Sequence, residues 1–262
     1  MKILSWNILA NEFIAKRFYP MIPSELLFKR AARTQRIINT LTRVDADVML
    51  LQEVMLSEYN TLHRHFAGNY TIIRSKHIVW QNEPSYSFNV ILLRNTMFSL
   101  NGLGGNDMGG NYMDFGVMVK CLYKNKNKNK NNTKNNTNKL KIPITIINVH
   151  LDDIAHAKRK QQLQQLETVL KTDQNVILGG DFNENYSNTS PLYKIIKSSG
   201  LSIMNYDPTY FIKRKVCIDN IMLKGAAPRP HVRVLNEAGP NVMQQFIEYG
   251  SDHLPVIVDT NY

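Results

Sequence analysis

The chain has 262 residues, of which 43% are hydrophobic and 20% charged, the composition of an ordinary globular protein with room for a sizeable core. Its two cysteines are too few for a disulfide framework, and we find neither a signal peptide nor an apolar run long enough for a membrane span, so we expect an intracellular protein with no membrane partner. The net charge of +11 favours a polyanionic partner such as nucleic acid.

Part of that charge is local. The stretch 124–139, KNKNKNKNNTKNNTNK, holds six lysines and no acid. Without it, 26 lysines and arginines remain against 21 acids, a net charge of +5. Because the tract cannot bury apolar surface, we predict a disordered Asn/Lys-rich loop inserted into a single domain that spans residues 1–262.

The hydrophobic pattern predicts alternating strands and helices along the chain. Strands are expected at 2–9, 47–54, 69–75, 86–95, 112–123, 141–151, 175–184, 215–223 and 254–258. Helices are expected at 24–44, at 57–66 with Ser57 as N-cap, at 155–172, and at 191–200 with Gly200 as the stop. This order favours an α/β (α+β) sandwich with the sheets inside and the helices outside.

Polar residues fall at or near one end of six apolar strands. They are Asn7, the pair Gln52 and Glu53, His150, the pair Asp181 and Asn183, the pair Asp219 and Asn220, and the pair Asp252 and His253. Burying an unpaired charge costs several kcal/mol, so a core would not hold this many by accident. We therefore expect these side chains to converge on one site, where a cation and an anionic substrate neutralise them.

The residue types in this set also indicate the metal and the reaction. Carboxylate and amide oxygens without a Cys/His ligand cluster suit Mg²⁺ or Mn²⁺ better than Zn²⁺. A hard cation of this kind, with acids free to orient water and imidazoles to contact phosphate oxygens, is typical of the metal-assisted attack of water on a phosphoester.

Six short segments, WNIL, LLQEV, NVHLD, GGDFNE, CIDNIML and GSDHLPV, lie between residues 6 and 256. In this order they resemble the endonuclease/exonuclease/phosphatase superfamily, the fold of pancreatic deoxyribonuclease, and are most similar to its deadenylase/2′-phosphodiesterase and tyrosyl-DNA phosphodiesterase branches. The resemblance implies a four-layered α/β sandwich in which two packed mixed β-sheets are flanked by helices.

The resemblance also implies a role for each matching residue at the metal. Glu53 would be the principal Mg²⁺ ligand, with Mn²⁺ as an alternative ion. Asn7 would lie close to both the metal and the substrate phosphate. Asp252 would complete the metal site or the shell around it.

The remaining matches would act on water and on the scissile phosphate. Asp181 would orient or deprotonate the attacking water, and Asn183 would hold that water or a phosphate oxygen. His150 and His253 would bind the phosphate and stabilise the transition state. Asp219 would orient His253 and set its tautomer, as a carboxylate partner does.

These expectations give a leading function and two alternatives. The leading one is a Mg²⁺-dependent phosphodiesterase or nuclease that acts on nucleic acid, at an RNA 3′ end or a DNA end, with no obligate protein partner. The alternatives are a small-molecule phosphatase of the same superfamily and a catalytically silent nucleic-acid-binding module. The residues leave open RNA against DNA, exonucleolytic against endonucleolytic action, and the number of metal ions.

Overall fold

A computed structural model describes residues 1–76, 79–80, 83–84, 86–100, 111–124, 141–185, 190–212, 215–225, 230–237 and 241–260. Its helices are α1 (Ser24–Phe28), α2 (Arg30–Val44), α3 (Leu56–Phe66), α4 (His156–Thr172), α5 (Pro191–Ser198) and α6 (Val242–Glu248). Its strands are β1 (Lys2–Asn7), β2 (Val48–Met55), β3 (Tyr70–Arg74), β4 (Val79–Trp80), β5 (Glu83–Pro84), β6 (Ser87–Arg94), β7 (Phe98–Ser99), β8 (Asn111–Met113), β9 (Gly116–Lys124), β10 (Lys141–His150), β11 (Val176–Asp181), β12 (Ser202–Ile203), β13 (Asp219–Lys224), β14 (His231–Val234) and β15 (Val256–Asp259).

The strands form two larger sheets and one small hairpin. The first sheet has the order β14-β15-β1-β2-β6-β3, and the second has the order β12-β13-β11-β10-β9-β7, with β8 also paired to β9. In each sheet one pair of neighbours is parallel, β1 with β2 and β10 with β11, whereas the other pairs are antiparallel. Both sheets are therefore mixed, and each contains one β-α-β crossover, which brings its helices to the outer face.

Three layers of buried apolar side chains show how the elements stack. Between the sheets lie residues such as Ile3, Leu50 and Ile146. On the outer face of the first sheet, α2 and α3 pack through Ile37, Ile38, Leu41, Leu62 and Phe66. On the outer face of the second sheet, α4 and α5 pack through Leu163, Leu166, Leu170, Leu192 and Ile196. The predicted four-layered sandwich of two mixed sheets flanked by helices is confirmed.

The space between the sheets changes from apolar to polar along the strands. In β10, Ile144 and Ile146 belong to the core between the sheets. Because side chains alternate along a strand, Asn148 and His150 continue that same face. This face of β10 is therefore apolar at one end, where it packs in the core, and carries the Asn148 amide and the His150 imidazole at its other end.

The predicted helix 24–44 is wrong in one respect, because it is two helices. Lys29 leaves the helical conformation with φ −77° and ψ 77°, so α1 ends at Phe28 and α2 begins at Arg30. The two pieces pack on different clusters. Leu27 joins the segment after β1 and Phe246, whereas the apolar stripe of α2 packs on the first sheet.

Other boundaries also differ from the predictions. Ser57 is not the N-cap of α3, which begins at Leu56 after the extended residue Met55. The expected strand 112–123 is a hairpin of β8 and β9. The predicted disordered loop 124–139 lies outside the described residues except for Lys124, which ends β9. No helix in the described part of the chain has the length and apolar character to cross a bilayer.

Candidate active site

The strand register brings the predicted site residues to one end of the sandwich. In the second sheet, His150 at the end of β10 is level with Asp181 at the end of β11, and Asp181 is level with Asp219 at the start of β13. In the first sheet, Asn7 at the end of β1 is level with Gln52. The carboxyl ends of parallel strands are where ligands bind in open α/β sheets, which makes this rim the candidate active site.

Glu53 is presented to this rim by an irregularity in β2. The pairing of β2 with β6 shifts between Leu51 and Val54, so two residues of β2 face one residue of β6. Glu53 takes a left-handed conformation with φ +57°, which is uncommon for a residue other than glycine. A bulge of this kind bends the strand and re-aims a side chain, here the carboxylate of Glu53.

Asn148 braces the bulge from the opposite sheet. Its Nδ2 donates to the carbonyl oxygens of Leu51 at 2.8 Å and Val90 at 2.9 Å, and its Oδ1 accepts from Gln52 Nε2 at 2.7 Å. Asn148 and Gln52 are fully buried. The amide thereby satisfies carbonyls on both sides of the irregular pairing and ties the two sheets together next to Glu53.

Asn7 joins two of the predicted catalytic carboxylates. Its Nδ2 donates to Glu53 Oε1 at 2.7 Å and to Asp181 Oδ2 at 3.1 Å, and its Oδ1 accepts from the backbone N–H of Leu9 at 2.9 Å. The other oxygen of Glu53 accepts from the backbone N–H of Ala10 at 2.8 Å. Glu53 is therefore held at both oxygens by the end of β1 and the turn that follows it.

Asp181, at the end of β11 in the second sheet, contacts polar groups from both sheets. Its Oδ2 lies 3.7 Å from His150 Nε2 and 3.9 Å from His253 Nδ1, in addition to its bond from Asn7. Asp181 is buried, and burial together with the charge of Asp219 raises its pKa above the ordinary value. A carboxylate with a raised pKa is a better proton acceptor than an exposed aspartate.

Asp219 and His253 form a buried pair. Asp219 Oδ2 lies 2.8 Å from His253 Nδ1, and the ring of Tyr210 packs against the imidazole with centroids 4.9 Å apart. Burial alone would lower the pKa of His253, but the charges of Asp219 and Asp252 and the hydrogen bond to Asp219 raise it well above the usual value. Asp219 therefore fixes the position of the imidazole through Nδ1, and its role in setting the tautomer of His253 stays a prediction.

Asp252 and Asn183 complete the set of predicted residues. Asp252 is buried, accepts from Tyr19 Oη at 3.1 Å, and has a pKa raised above its ordinary value by burial. Asn183 has φ +50°, donates its backbone N–H to Asp181 Oδ1 at 2.8 Å and donates its side-chain Nδ2 to the Leu151 carbonyl at 2.9 Å. Both lie at the predicted rim, and their roles in chemistry stay predictions.

The donor set fits a divalent cation. The site residues Glu53, Asp181, Asp219 and Asp252 are all buried carboxylates. In the described part of the chain, none of them pairs with a lysine or arginine, and one oxygen each of Asp219 and Asp252 has no hydrogen-bond partner. Buried, under-compensated oxygen ligands beside two imidazoles are an environment in which a divalent cation binds. A compact group of Asp181, Asp219 and His253, with ligand atoms within 4.8 Å of one another, also has the composition of a metal site.

Several contacts of this site were not predicted from the sequence. Tyr19, Tyr210, Arg33 and Asn148 each contact a predicted site residue or the backbone beside one. For two of these residues, Asn148 and Arg33, the sequence pattern holds an indication of their role. Asn148 lies in phase with His150 on β10, and Arg33 interrupts the apolar stripe of an amphipathic helix. Tyr19 and Tyr210 lie in irregular segments, where periodicity carries no information.

The fold and the site together define a class of phosphoester-hydrolysing proteins. The sequence model of the Endonuclease/Exonuclease/phosphatase family matches residues 4–253. The chain therefore belongs to this family, whose members are phosphoesterase hydrolases, and the predicted resemblance is confirmed. No curated protein matches the sequence.

Solved structures share the fold at low sequence identity. The human Nocturnin catalytic domain with a bound sulfate anion is similar with a TM-score of 0.64 and 19% identity, over 100% of this chain and 94% of that one. TDP2 from D. rerio, complexed with a single-strand DNA product, has a TM-score of 0.60 and 15% identity, over 100% and 99%. The mannosyl-6-phosphatase Bt3783 of Bacteroides thetaiotaomicron VPI-5482 has a TM-score of 0.60 and 16% identity, over 100% of both chains.

Proposed function

We propose that the protein is a Mg²⁺-dependent phosphodiesterase that hydrolyses phosphodiester bonds in nucleic acid, at an RNA 3′ end or a DNA end. The observation that carries the proposal is the gathering of Glu53, Asp181 and Asp252 beside His150 and His253 at one rim of the sandwich. Buried acids in this number need a cation, and the imidazoles beside them suit an anionic substrate.

Glu53 and Asp252 would hold the metal ion, with Asn7 fixing the Glu53 carboxylate. A bound Mg²⁺ polarises a phosphoryl oxygen and lowers the pKa of a coordinated water. Asp252 keeps one carboxylate oxygen without a hydrogen-bond partner among the described residues, which supports its use as a ligand.

Asp181 would act as the general base. The water oxygen bonds to phosphorus, the bond from phosphorus to the leaving oxygen breaks, and the water proton goes to Asp181. The leaving oxygen takes its proton from solvent. The raised pKa of Asp181 supports this role, because a carboxylate with a higher pKa takes up a proton more readily. Asn183, whose backbone N–H bonds to Asp181 Oδ1, keeps that carboxylate oriented.

His253 and His150 would stabilise the negative charge that develops on the phosphoryl oxygens. His253 is held by Asp219 through Nδ1, so its Nε2–H is the donor that remains for the phosphate. The side chain of His150 is 14% exposed. Its Nε2 lies 3.8 Å from Glu53 Oε1 and 3.7 Å from Asp181 Oδ2. Preorganised donors of this kind contribute through positions fixed before the substrate arrives.

Nucleic acid is favoured as the substrate by charge. The chain carries a net charge of +11, and six of its lysines lie in the single stretch 124–139. A polyanion binds a positively charged protein through many phosphate contacts, whereas a single small phosphate uses few. The similarity to TDP2 bound to a single-strand DNA product agrees with this substrate class.

The small-molecule phosphatase is the second candidate, and the similarity to a mannosyl-6-phosphatase at the same TM-score of 0.60 favours it. The silent binding module is disfavoured because every predicted catalytic position holds the expected residue type. A panel of poly(A) RNA, abasic duplex, 5′-tyrosyl DNA and an inositol phosphate, each titrated with Mg²⁺ and with a chelator as blank, separates these candidates. Cleavage of the inositol phosphate alone would contradict the nucleic-acid proposal.

Two variants test the site itself. Glu53→Gln and His253→Ala are each expected to lower the rate by about 100-fold or more while the protein stays folded, since one electrostatic or acid–base group supplies that much. Matched controls are Glu167→Gln, at a partly exposed residue of α4, and His65→Ala, at an exposed residue of α3. Losses under about tenfold in both site variants would contradict the proposal.

A further inference from the structure

Arg33 on α2 is a buried charge that the chemistry above does not use. Its side chain is fully buried, and its nearest carboxylate, on Glu58, lies 4.0 Å away. Its Nε has no hydrogen-bond partner among the described residues. Removing a guanidinium from water costs free energy, and an ion pair at 4.0 Å offsets only part of that cost. The other contacts of Arg33 must therefore compensate the rest.

Those contacts run to the backbone of two separate segments. Nη1 donates to the carbonyl oxygen of Ile8 at 2.7 Å and to that of Gly250 at 3.0 Å, and Nη2 donates to the side-chain oxygen of Asn11 at 2.9 Å. The two carbonyls are more than 240 residues apart in the chain. The planar fork of the guanidinium therefore fixes the distance between the segment after β1 and the segment before β15.

Each segment carries residues of the metal site. Asn7 directly precedes Ile8, and the backbone N–H of Ala10, between Ile8 and Asn11, donates to Glu53 Oε2 at 2.8 Å. On the other side, Asp252 follows Gly250 by two residues. The guanidinium thus lies behind both of the carboxylates that would hold the metal, and it contacts neither of them directly.

The backbone at Gly250 is independent evidence that Arg33 packs closely against this turn. It has φ +76°, and a Cβ added there would lie 2.7 Å from Arg33 Cγ and 3.2 Å from the Arg33 carbonyl oxygen. The next residue, Ser251, donates its hydroxyl to the carbonyl of Asn7 at 2.8 Å. The close packing of Arg33 on this turn therefore requires glycine, and it brings the turn into contact with the end of β1.

We propose that Arg33 is a positioning residue that sets the separation of Glu53 and Asp252, and through it the affinity of the site for a divalent cation. The inference rests on the proposed function, since it takes these two carboxylates as the metal ligands. Groups behind a metal site that orient its ligands typically change metal affinity or activity by about 10- to 100-fold when they are removed.

The test uses Mn²⁺ as the probe, with its dissociation constant measured by electron paramagnetic resonance on the full chain. Arg33→Lys keeps the charge and loses the fork, and Arg33→Met loses both. Each is expected to raise the Kd for Mn²⁺ by about tenfold or more. The control is Arg94→Met. Arg94 donates to Asp45 and Asp47 at the opposite end of the sheet, so its removal is expected to lower the melting temperature and to leave the Kd within about twofold.

An effect of charge alone gives the opposite result. Removing a nearby positive charge would tighten Mn²⁺ binding in Arg33→Met and leave Arg33→Lys unchanged, and this outcome would overturn the proposal. If the Arg33 variants do not fold, Gly250→Ala and Asn11→Ala replace them, and the same rise in Kd is expected. An unchanged Kd in both of these overturns the proposal as well.

The wild-type protein separates this inference from the proposed function. Wild type that binds no Mn²⁺ and cleaves no member of the substrate panel overturns both proposals. Wild type that binds Mn²⁺ and cleaves, with all Arg33, Gly250 and Asn11 variants binding Mn²⁺ equally well, overturns the positioning role alone.

Discussion

Replacing Asn148 by leucine is expected to weaken both the fold and the presentation of Glu53. The substitution keeps the number and branching of the side-chain heavy atoms and removes three buried hydrogen bonds, two to the Leu51 and Val90 carbonyls and one from Gln52. Each buried hydrogen bond contributes about 1 kcal/mol net, and the Leu51 and Val90 carbonyls stay buried after losing a donor, so the free energy of unfolding should fall by about 3 kcal/mol or more. A domain of this kind has about 5–15 kcal/mol in total, so the variant remains folded.

Urea denaturation followed by circular dichroism measures this loss. Asn175→Leu is the matched control, because it removes one hydrogen bond, from an exposed amide to the Pro143 carbonyl. The control should cost no more than about 0.5 kcal/mol. An Asn148→Leu variant that loses as little as the control would refute the view that this amide braces the bulge. So would a variant that loses about 3 kcal/mol and keeps full metal-dependent activity.

Three further predictions concern other parts of the chain. Asp219→Asn should lower kcat about 10- to 100-fold with KM nearly unchanged, because a charge-assisted bond to His253 of about 1.5–3 kcal/mol is lost; steady-state kinetics on the cleaved substrate measure it. Burial alone would raise the pKa of Asp173, but hydrogen bonds from a threonine and a lysine lower it, so its stabilising effect is complete above its unfolded pKa and is lost as the pH falls through the lowered folded value. Asp173→Asn should therefore lower the melting temperature at pH 7, and the difference from wild type should shrink below about pH 4. Cys121 and Cys217 are buried with thiol pKa values raised to about 12, so a thiol reagent should label them in urea and leave them unlabelled in the native protein.

The residue types predict which face of its sheet each strand residue lies on. The alternation in β10 places Ile144, Ile146, Asn148 and His150 on one face, and a face that changes from apolar to polar along its length predicts a core at one end and a wet site at the other. Such a pattern is local, because a side chain's face depends on its position within its own strand. The polar residues at the strand ends, and the family they indicate, were therefore accessible from the sequence.

The split of the first helical segment was not accessible in this way. The stretch 24–44 has continuous helical character, and Lys29 breaks it because Leu27 packs with Phe246 while Ile37 packs on the first sheet. Two docking surfaces with different orientations decide the break, and neither lies within the segment itself.

Sequence alone determined the architecture and the residues that line its rim, because hydrophobic period and residue type act over a few neighbouring positions. Tertiary structure decided how those residues are held. The left-handed backbone of Glu53 lies in a bulge that the opposite sheet braces through Asn148. Arg33 joins the turn before Asp252 to the segment after β1, through the carbonyls of Gly250 and Ile8. A strained or buried polar group is stable only when contacts from distant segments compensate it, and those contacts exist only in the folded chain.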